Sequence, residues 1–483
     1  MVPTKDYPFS IPNFSLDKEQ IMKKIMSTIA VAAAAVLMGC SSEIPESDKS
    51  YFDGLATPPS LDDSATIMKK EYTLNHPCML HTQADIDRVK GNLTKSPWKE
   101  AYAYLESSWL ANPNKADETS RMKDGLLKRM DAKNWSGKYS DYNNYTGAMR
   151  DAAAAYSLAL RYQLSGNSQY ADAAVRLLNA WAKNCKGILT MSGYTNNIPD
   201  PNMYLLSIQV YQWANAAELV RNYAGWQKDD FKKFQNWMLS TYYEPLVKPF
   251  LTNHNGGQGN MHYWLNWDLA QLTALLSMGI LTDNQYMVNW AIYYFKNEDG
   301  LYNEAGNIKN AVPFIHKDPD SDEELGQCEE SGRDQGHATL CVSLMGAFCQ
   351  MAYNIGEDLF AYDDYRALKM AEYVGKYNLI KDEAWAEGNA FQYESSKMPY
   401  TAYTNPSYNN PVVSEAQRGA KRPSWELFYA YAQQHNRPAK YCGEWVRQMR
   451  ELNSFKCDGG SGTYDSNSGG YDQLGYGTLM FAR

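Results

Sequence analysis

Two short polar segments of the chain combine side chains that move protons with side chains that bind anions. The first, residues 252–268, contains His254 and His262 together with four asparagines, one tyrosine and two tryptophans. It is rich in glycine and leads directly into an apolar run, as a loop that opens a helix does. Because such a loop directs side chains and backbone N–H groups toward an anion, the segment favours an anion-binding site with histidines available for proton transfer. The alternative interpretation is an ordinary N-capping loop.

The second segment, residues 326–337, also enters a helix, which is predicted to begin near Ala338. It is dominated by charged, amide and imidazole side chains, in the order Gly-Gln-Cys-Glu-Glu-Ser-Gly-Arg-Asp-Gln-Gly-His. A solvated charged turn would explain Glu329, but an apolar helix follows at once. We therefore expect some of these side chains to point into a cleft.

The spacing within each segment supports one shared site. His262 and Asn266 are four residues apart, and so are Arg333 and His337. Residues four apart share one face of a helix, so each pair can point into a single cleft if the two helices face each other.

The elements that must position these segments are predicted to be helices almost throughout the chain, and strand-like alternation is scarce. Antiparallel helical hairpins are predicted for four pairs of ranges: 152–164 with 171–181, 205–223 with 231–239, 269–278 with 286–295, and 338–353 with 365–373. Because the hairpins have no fixed repeat period, the pattern disfavours a regular solenoid. We therefore predict an all-α fold, an incomplete or closed α/α toroid built of antiparallel helical hairpins.

Three segments resemble a known family. Asn-Trp-Asp-Leu-Ala at 266–270, Glu-Ser-Gly-Arg-Asp-Gln-Gly-His at 330–337 and Gly-Thr-Leu at 477–479 are similar to signature segments of bacterial alginate-lyase-like proteins, above all the alginate and glucuronan lyases of polysaccharide lyase family 38. The resemblance covers roughly residues 76–483. It implies an α/α toroid and an enzyme that cleaves a 1,4-linked polyuronate. The acidic polysaccharide is then the partner, and no cofactor is required.

A lyase of this kind removes the C5 proton beside a uronate carboxylate and then expels the oxygen linked to C4. The negative charge that builds on the carboxyl group needs a donor such as Asn, protonated Glu or Arg, and a His or Tyr takes the proton. We predict His262 as the base, with His254 as the alternative, and Asn266 as the charge-neutralising residue, aided by Glu330. Arg333 is predicted to grip a substrate carboxylate.

Other roles stay open at this stage. Arg333 has the alternative of a buried pair with Asp334 or Glu330. His337 either holds Glu330 or Arg333 in place or is a satisfied supporting histidine. The general acid is open among Tyr263, Tyr302 and His316, because Phe314 stands where relatives are expected to carry an aromatic hydroxyl. Substrate-binding roles are predicted for six residues: His254, Asn260, Trp264, Trp267, Gln335 and Arg422.

Composition excludes one class of partner. A net charge of −9 argues against nucleic acid, so a polyanion needs a local basic patch. Arg418, Lys421 and Arg422 form a basic run that would supply one, although a solvated run of loop charges has the same pattern. The 37 Tyr and 13 Trp suit stacking on sugar faces as well as core packing. The eight cysteines show no zinc-binding spacing, so no metal site is predicted.

The N-terminal region predicts export. Lys23 and Lys24 precede an apolar run over 25–38, and Leu-Met-Gly-Cys at 37–40 resembles a bacterial lipobox. We predict a signal peptide over 1–39 with the true start at Met22, a lipidated Cys40 with a flexible tether over 40–75, and one catalytic domain over 76–483. The membrane is then a partner through the lipid anchor. The protein is expected to be an exported outer-membrane lipoprotein, at the cell surface or facing the periplasm, as in Bacteroides-type lipoproteins.

Two other functions compete with a polysaccharide lyase. A glycoside hydrolase on the same kind of toroid, acting on uronyl oligosaccharides, would use Asp268, Glu330 or Asp334 as paired acid and base. A non-catalytic glycan-binding lipoprotein would keep the aromatic side chains but has no need of the His, Asn, Arg and Glu set.

Overall fold

The computed structural model describes Ile67, residues 70–131, 143–191, 198–252, 263–298, 304–405 and 408–454, and, near the C-terminus, Gly462, Tyr464 and residues 470–483. Residues 1–66 lie outside this part, so the signal peptide, the lipidation of Cys40 and most of the tether stay predictions. The end of the predicted tether over 40–75 is packed on the fold, because Tyr72 is buried and its backbone N–H donates to Gln285. The described residues all belong to one compact unit. None of the helices in the described ranges has the length and apolar character needed to cross a membrane.

The described chain is mainly helical, as predicted. Its α-helices are α1 Gln83–Lys90, α2 Trp98–Ser107, α3 Thr146–Ser165, α4 Ser168–Asn184, α5 Val210–Val220, α6 Lys228–Met238, α7 Lys248–Thr252, α8 Leu265–Leu281, α9 Gln285–Lys296, α10 Ile308–Ala311, α11 Gln335–Asn354, α12 Tyr362–Asn378, α13 Trp425–Gln434, α14 Lys440–Glu451 and α15 Gly477–Phe481. A π-helix, Leu239–Val247, continues α6.

Strands within the described ranges form three two-stranded ladders. They are β1 Leu126–Leu127 with β2 Gly187–Ile188, β3 Phe314–Lys317 with β4 Glu324–Gln327, and β5 Tyr403–Asn405 with β6 Tyr408–Asn410. Short 3₁₀ turns lie at Trp109–Ala111, Thr119–Arg121, Pro201–Gln209, Glu329–Gly332, Asp382–Ala384 and Ser395–Lys397. The scarcity of strands in the sequence pattern is therefore confirmed.

Consecutive helices form antiparallel hairpins because the chain carries turn signals between them. Helix α3 ends at Gly166, whose φ of 72° is left-handed, a conformation that glycine adopts without a steric penalty. Asn167 then caps α4 by accepting a hydrogen bond from the backbone of Gln169. In the turn between α8 and α9 the left-handed residue is Asp283, with a φ of 56°, and Asn284 caps α9 by accepting a hydrogen bond from the backbone of Met287.

The first helices of these hairpins pack in succession and close a ring. Helix α3 packs on α5, α5 on α8, α8 on α11 and α11 on α13, and α13 packs on the C-terminal α15. Helix α15 in turn packs on α1 and α2, which pack on α3. Arg88 of α1 fastens this closure by donating hydrogen bonds to the carbonyls of Met480 and Ala482. The prediction of an all-α toroid is confirmed.

Helix α5, one of the helices of the ring, lies within the core. Every residue of α5 is buried, which is the pattern of a helix surrounded by other helices. Trp213 of α5 packs edge-on against Trp237 of α6, with ring centroids 5.8 Å apart. Ring pairs of this kind add to the stabilisation that burial provides. This contact therefore helps to hold α6 against α5.

The β3–β4 hairpin is held against α12 by one buried ion pair. Asp318, directly after β3, pairs with Lys376 of α12 and accepts hydrogen bonds from the Tyr441 hydroxyl at 2.6 Å and the Ser321 hydroxyl at 2.7 Å. Burial raises the pKa of this carboxyl, but these bonds outweigh it and lower the pKa to about 2. The pair thus fixes the hairpin that leads into residues 326–337.

This ion pair predicts an acid-sensitive contribution to stability. Because the pKa of Asp318 is about 2 in the folded chain and 3.8 ordinarily, its contribution is full above pH 3.8 and is lost as the pH falls toward 2. Asp318→Asn should therefore flatten the fall in the free energy of unfolding between about pH 5 and pH 2.5, measured by denaturant titration. Asp322→Asn is the control, since that carboxylate in the same loop is fully exposed. An unchanged acid limb in Asp318→Asn would contradict the assignment.

Candidate active site

The two polar segments meet at a buried carboxylate. Glu330 lies in the 3₁₀ turn before α11, and its Oε1 accepts hydrogen bonds from both the backbone N–H and the side-chain amide of Asn266, each at 2.7 Å. Glu329 accepts from the backbone of Leu265 at 3.2 Å. The turn therefore satisfies N–H groups at the start of α8 that have no partner within that helix. The described end of the first segment thus contacts the second segment, whereas His262 lies outside the described residues.

Arg333 extends this contact toward solvent. Its Nη1 donates to Glu330 Oε2 at 3.0 Å, its Nε lies 3.7 Å from Asp334, and the guanidinium lies over the Trp264 ring, 4.8 Å from the centroid. The pairing with Glu330 and Asp334 that the sequence left open is thus present. The Arg333 side chain is nevertheless 26% exposed, so the guanidinium is both held in place and accessible.

His337 is oriented by the residue that caps its helix. Asp334 accepts the first backbone hydrogen bond of α11 from His337 N at 2.8 Å, and its carboxylate also lies 2.7 Å from Nδ1 of the same imidazole. A carboxylate is an acceptor, so Nδ1 carries a hydrogen. Arg333 Nη2, which has hydrogens only to donate, lies 3.3 Å from Nε2. Nε2 is therefore the acceptor in that contact, and Nδ1 carries the hydrogen that the Asp334 carboxylate accepts.

The charge state of Asp334 follows from the same contacts. Burial raises the pKa of the Asp334 carboxyl, but the hydrogen bonds and electrostatic attraction of His337, and after them the positive charge of Arg333, lower it by more, so the net shift is downward. Asp334 is therefore ionised and available to orient His337. We call Asn266, Glu330, Arg333, Asp334 and His337 the Arg333 cluster.

Two members of the Arg333 cluster, Glu330 and Asn266, are buried beneath the others. Glu330 is 0% exposed and Asn266 is 1% exposed, and the Asn266 amide is directed at Glu330. In this structure Asn266 therefore stabilises a protein carboxylate, whereas the sequence predicts that it neutralises a substrate carboxylate. Cys341 of α11 also donates to Glu330, at 3.3 Å.

The structure corrects two predicted substrate-binding residues. Gln335 is buried and its amide is fully used: it donates to the carbonyls of Ser331 and Ser414 and accepts from Asn378. Arg422 is buried in a two-pronged ion pair with Asp472. Both side chains fix the start of α11 from inside, so neither reaches a cleft.

The other two cations of the basic run that includes Arg422 also donate hydrogen bonds within the protein. Arg418 donates to the carbonyls of Tyr377 and Tyr393, and Lys421 donates to the carbonyl of Trp385. These cations hold the segment before α13 and do not form the predicted basic patch.

His316 on β3 has a defined tautomer. Its Nε2 lies 2.9 Å from the side-chain oxygen of Gln327, its neighbour in the β3–β4 hairpin. The Gln327 amide is itself oriented by the backbone N–H and carbonyl of Thr401. Because the amide oxygen only accepts, His316 Nε2 carries the hydrogen and Nδ1 keeps a free lone pair.

Tyr263 and the two tryptophans lie at the start of α8. Trp264 and Trp267 are half-buried, and Trp267 packs on Tyr263 with centroids 4.6 Å apart. Tyr263 is buried, and burial raises its pKa. Its hydroxyl oxygen is buried and has no hydrogen-bond partner among the described residues.

The remaining predicted site residues lie outside the described part of the chain. They are His254, Asn260, His262 and Tyr302. Sequence reasoning assigned no role to Asp334 as the partner of His337 or to Gln327 as the partner of His316. The sequence signal for Asp334 and His337 was an aspartate at a helix N-cap three residues before a histidine. The strand pairing that brings Gln327 to His316 has no local signal in the sequence.

Comparison with known proteins gives one family. A family model described as alginate lyase matches residues 88–385. Solved structures similar to this chain include an alginate lyase from Bacteroides ovatus, 14% identical, covering 84% of this chain and 99% of that chain, with a TM-score of 0.48. Another is alginate lyase A1-III from Sphingomonas species A1, 13% identical, covering 80% and 94%, with a TM-score of 0.40. A search of curated proteins found no match.

Proposed function

Because the chain belongs to the alginate lyase family, and is thus a polysaccharide lyase, we propose that it cleaves a 1,4-linked polyuronate, alginate or glucuronan, by β-elimination. Each cut would leave a 4,5-unsaturated uronate at the new non-reducing end. The observation that carries the proposal is Arg333, an accessible guanidinium held beside an aromatic face and an oriented imidazole.

Arg333 is proposed to bind and neutralise the uronate carboxylate. The C5 proton becomes acidic only if the charge developing on the carboxyl group is stabilised, and a planar guanidinium offers a fork of donors that matches a carboxylate. Trp264, beneath the guanidinium, adds a surface on which a sugar face can stack. A substrate carboxylate would thus meet Arg333 at one edge while the sugar ring contacts the indole.

The exposed part of the Arg333 cluster suits an anionic substrate. Arg333 and His337 are 26% and 21% exposed, whereas Asp334 is 14% and Glu330 is 0% exposed. The negative charges that hold Arg333 are therefore mostly behind it. An approaching polyanion meets the guanidinium first, even though the whole chain carries a net charge of −9.

Proton transfer is proposed to involve a histidine from the first polar segment. His262 is the proposed base, because His337 has its Nε2 engaged by Arg333 and is better placed to position that guanidinium. Tyr263 and His316 are the proposed alternatives for the general acid. Tyr263 would donate its hydroxyl proton, and His316 would donate a proton from its imidazole. These side chains would carry out both proton transfers without a bound cofactor.

The hydrolase alternative would need two carboxylates facing a cleft. Asp268 is 0% exposed and accepts a hydrogen bond from Tyr294 at 3.0 Å. Burial raises the pKa of Asp268 well above its usual value. Glu330 is buried against Asn266, and Asp334 orients His337. All three carboxylates named for that mechanism are committed within the protein, and this supports the lyase.

The histidine roles are tested by four alanine variants in one assay. β-Elimination creates a C4=C5 double bond that absorbs in the ultraviolet, so initial rates are followed by absorbance on alginate and glucuronan. We expect His262→Ala to lower kcat at least about a hundredfold, the usual scale for losing a positioned base. His337→Ala should lower the rate less, because it only loosens Arg333. His254→Ala should stay active.

His435→Ala is the matched control. His435 contacts Tyr353 near the far end of α11, about 24 Å from His337 at 1.5 Å per residue, so its loss should not change the rate. Melting temperatures are recorded for all four variants. An inactive His254 variant beside an active His262 variant would move the base to His254, and full activity in both would refute the proposed proton transfer.

A further inference from the structure

We propose that His76, Cys78 and Glu218 form a binding site for a divalent cation of the zinc type, which fastens the N-terminal segment to the helical ring. The three residues lie where the chain enters α1 and at the C-terminal end of α5. Their ligand atoms, an imidazole nitrogen, a thiol sulfur and a carboxylate oxygen, lie within 4.8 Å of one another. The site is independent of the proposed lyase chemistry.

The donor set matches the chemistry of zinc. Sulfur, imidazole nitrogen and carboxylate oxygen are the three ligand types that proteins use for Zn²⁺. His76 Nδ1 lies 3.7 Å from Cys78 Sγ and 2.6 Å from Glu218 Oε1. These separations allow one ion to contact all three atoms after small side-chain movements. Calcium and magnesium prefer sites made only of oxygen, so a thiol and an imidazole disfavour them.

The surroundings of His76 support a metal-binding role. Its other ring nitrogen, Nε2, lies 2.7 Å from the carboxylate of Asp283, in the turn between α8 and α9. Asp283 is itself held by Arg221 at 2.5 Å. Histidines that bind metals commonly donate their second nitrogen to a carboxylate, which fixes the ring and makes the first nitrogen a better ligand.

Glu218 supplies the second independent observation. Its side chain is 2% exposed, and its Oε2 accepts no hydrogen bond among the described residues. The guanidinium of Arg221 is 3.8 Å from that oxygen, too far for a hydrogen bond. A buried carboxylate oxygen that accepts no hydrogen bond is unfavourable, and a bound cation would satisfy it.

Metal binding at this site exchanges protons for the ion. Without a cation, His76 Nδ1 donates its hydrogen to Glu218, and Cys78 keeps its thiol hydrogen. Binding of Zn²⁺ would release both protons, leaving a thiolate, a neutral imidazole and a carboxylate around the ion. Water or the second oxygen of Glu218 would complete four-coordination.

The consequence is a cross-link that the sequence spacing does not reveal, since Glu218 follows Cys78 by 140 residues. The ion would join the segment before α1 to α5 and, through Asp283, to the α8–α9 turn.

Cobalt(II) is the probe that tests the site, because a cobalt–thiolate bond gives a charge-transfer absorption in the near ultraviolet. The full chain is freed of metal with a chelator, titrated with Co²⁺ and then with Zn²⁺. We expect the band to saturate at one equivalent, to be abolished by Zn²⁺, and Zn²⁺ to raise Tm through preferential binding to the folded state.

Variants locate the cobalt signal within the chain. Cys78→Ser should lose the band, whereas Cys185→Ser, which removes a buried cysteine elsewhere, should keep it. Glu218→Gln keeps a hydrogen-bond acceptor for His76 and should weaken Co²⁺ binding at least tenfold, so it serves if Cys78→Ser does not fold. The proposal is overturned if the wild-type chain shows no band or if Cys78→Ser retains it.

Discussion

Arg333→Ala is expected to lower kcat/KM for polyuronate cleavage by roughly a hundredfold to a thousandfold, the scale seen when one preorganised charge-stabilising donor is removed. The reason is that Arg333 is the accessible cation of its cluster, whereas Asn266 and Glu330 are buried beneath it. The initial rate of ultraviolet absorbance on alginate and on glucuronan measures the effect. Arg447→Ala is the matched control, because that arginine pairs with Glu444 and Asp382 elsewhere on the surface.

The same substitution has a second effect that must be separated from the first. Removing Arg333 leaves Glu330 Oε2 without its 3.0 Å partner in a fully buried position, so Arg333→Ala should also lower Tm. Arg333→Lys keeps a positive charge for Glu330 but not the planar fork. We expect this variant to recover much of the stability and little of the activity. A Lys variant as active as the wild type would show that charge alone is sufficient.

Arg422→Ala is expected to destabilise the protein by about 3–5 kcal/mol, the usual cost of breaking a buried ion pair by removing one partner. Arg422 donates to both oxygens of Asp472 at 3.0 and 2.9 Å, and Asp472 is 0% exposed. The variant would leave that carboxylate with its charge uncompensated in the interior. Denaturant-induced unfolding at neutral pH measures the loss in free energy.

A double variant distinguishes the loss of the ion pair from a general packing defect. Replacing Arg422 with Met and Asp472 with Leu removes both charges and keeps the volume, so it should be more stable than Arg422→Ala. If Arg422→Ala unfolds at the same denaturant concentration as the wild type, the residue is not the internal brace that its contacts indicate.

The helical framework was predictable because its signals are local. The turn at Gly166 and Asn167 and the cap at Asn284 are each fixed by residues next to them in the chain. The spacing of Arg333 and His337 was equally informative. Two side chains four residues apart were expected to lie together, and they are 3.3 Å apart although Arg333 precedes helix α11.

Burial decided what the sequence left open. Arg422 and Gln335 have the polarity of binding residues, but their partners, Asp472 and Asn378, lie 50 and 43 residues away in the chain. Asn266 lies at the helix start where the spacing places it, yet its amide points at Glu330 from 64 residues further on. Contacts of this range depend on how the hairpins pack, and no local pattern encodes them.

The most direct test of the account compares two products of the same reaction. The purified protein is incubated with alginate and with glucuronan, and new double bonds and new reducing ends are counted over time. β-Elimination predicts that the two appear in equal numbers on at least one of these polymers, and that both rates fall together in Arg333→Ala. Reducing ends that form without double bonds would show hydrolysis and contradict the proposed function, and binding of either polymer without any new ends would show that the protein is not an enzyme acting on it.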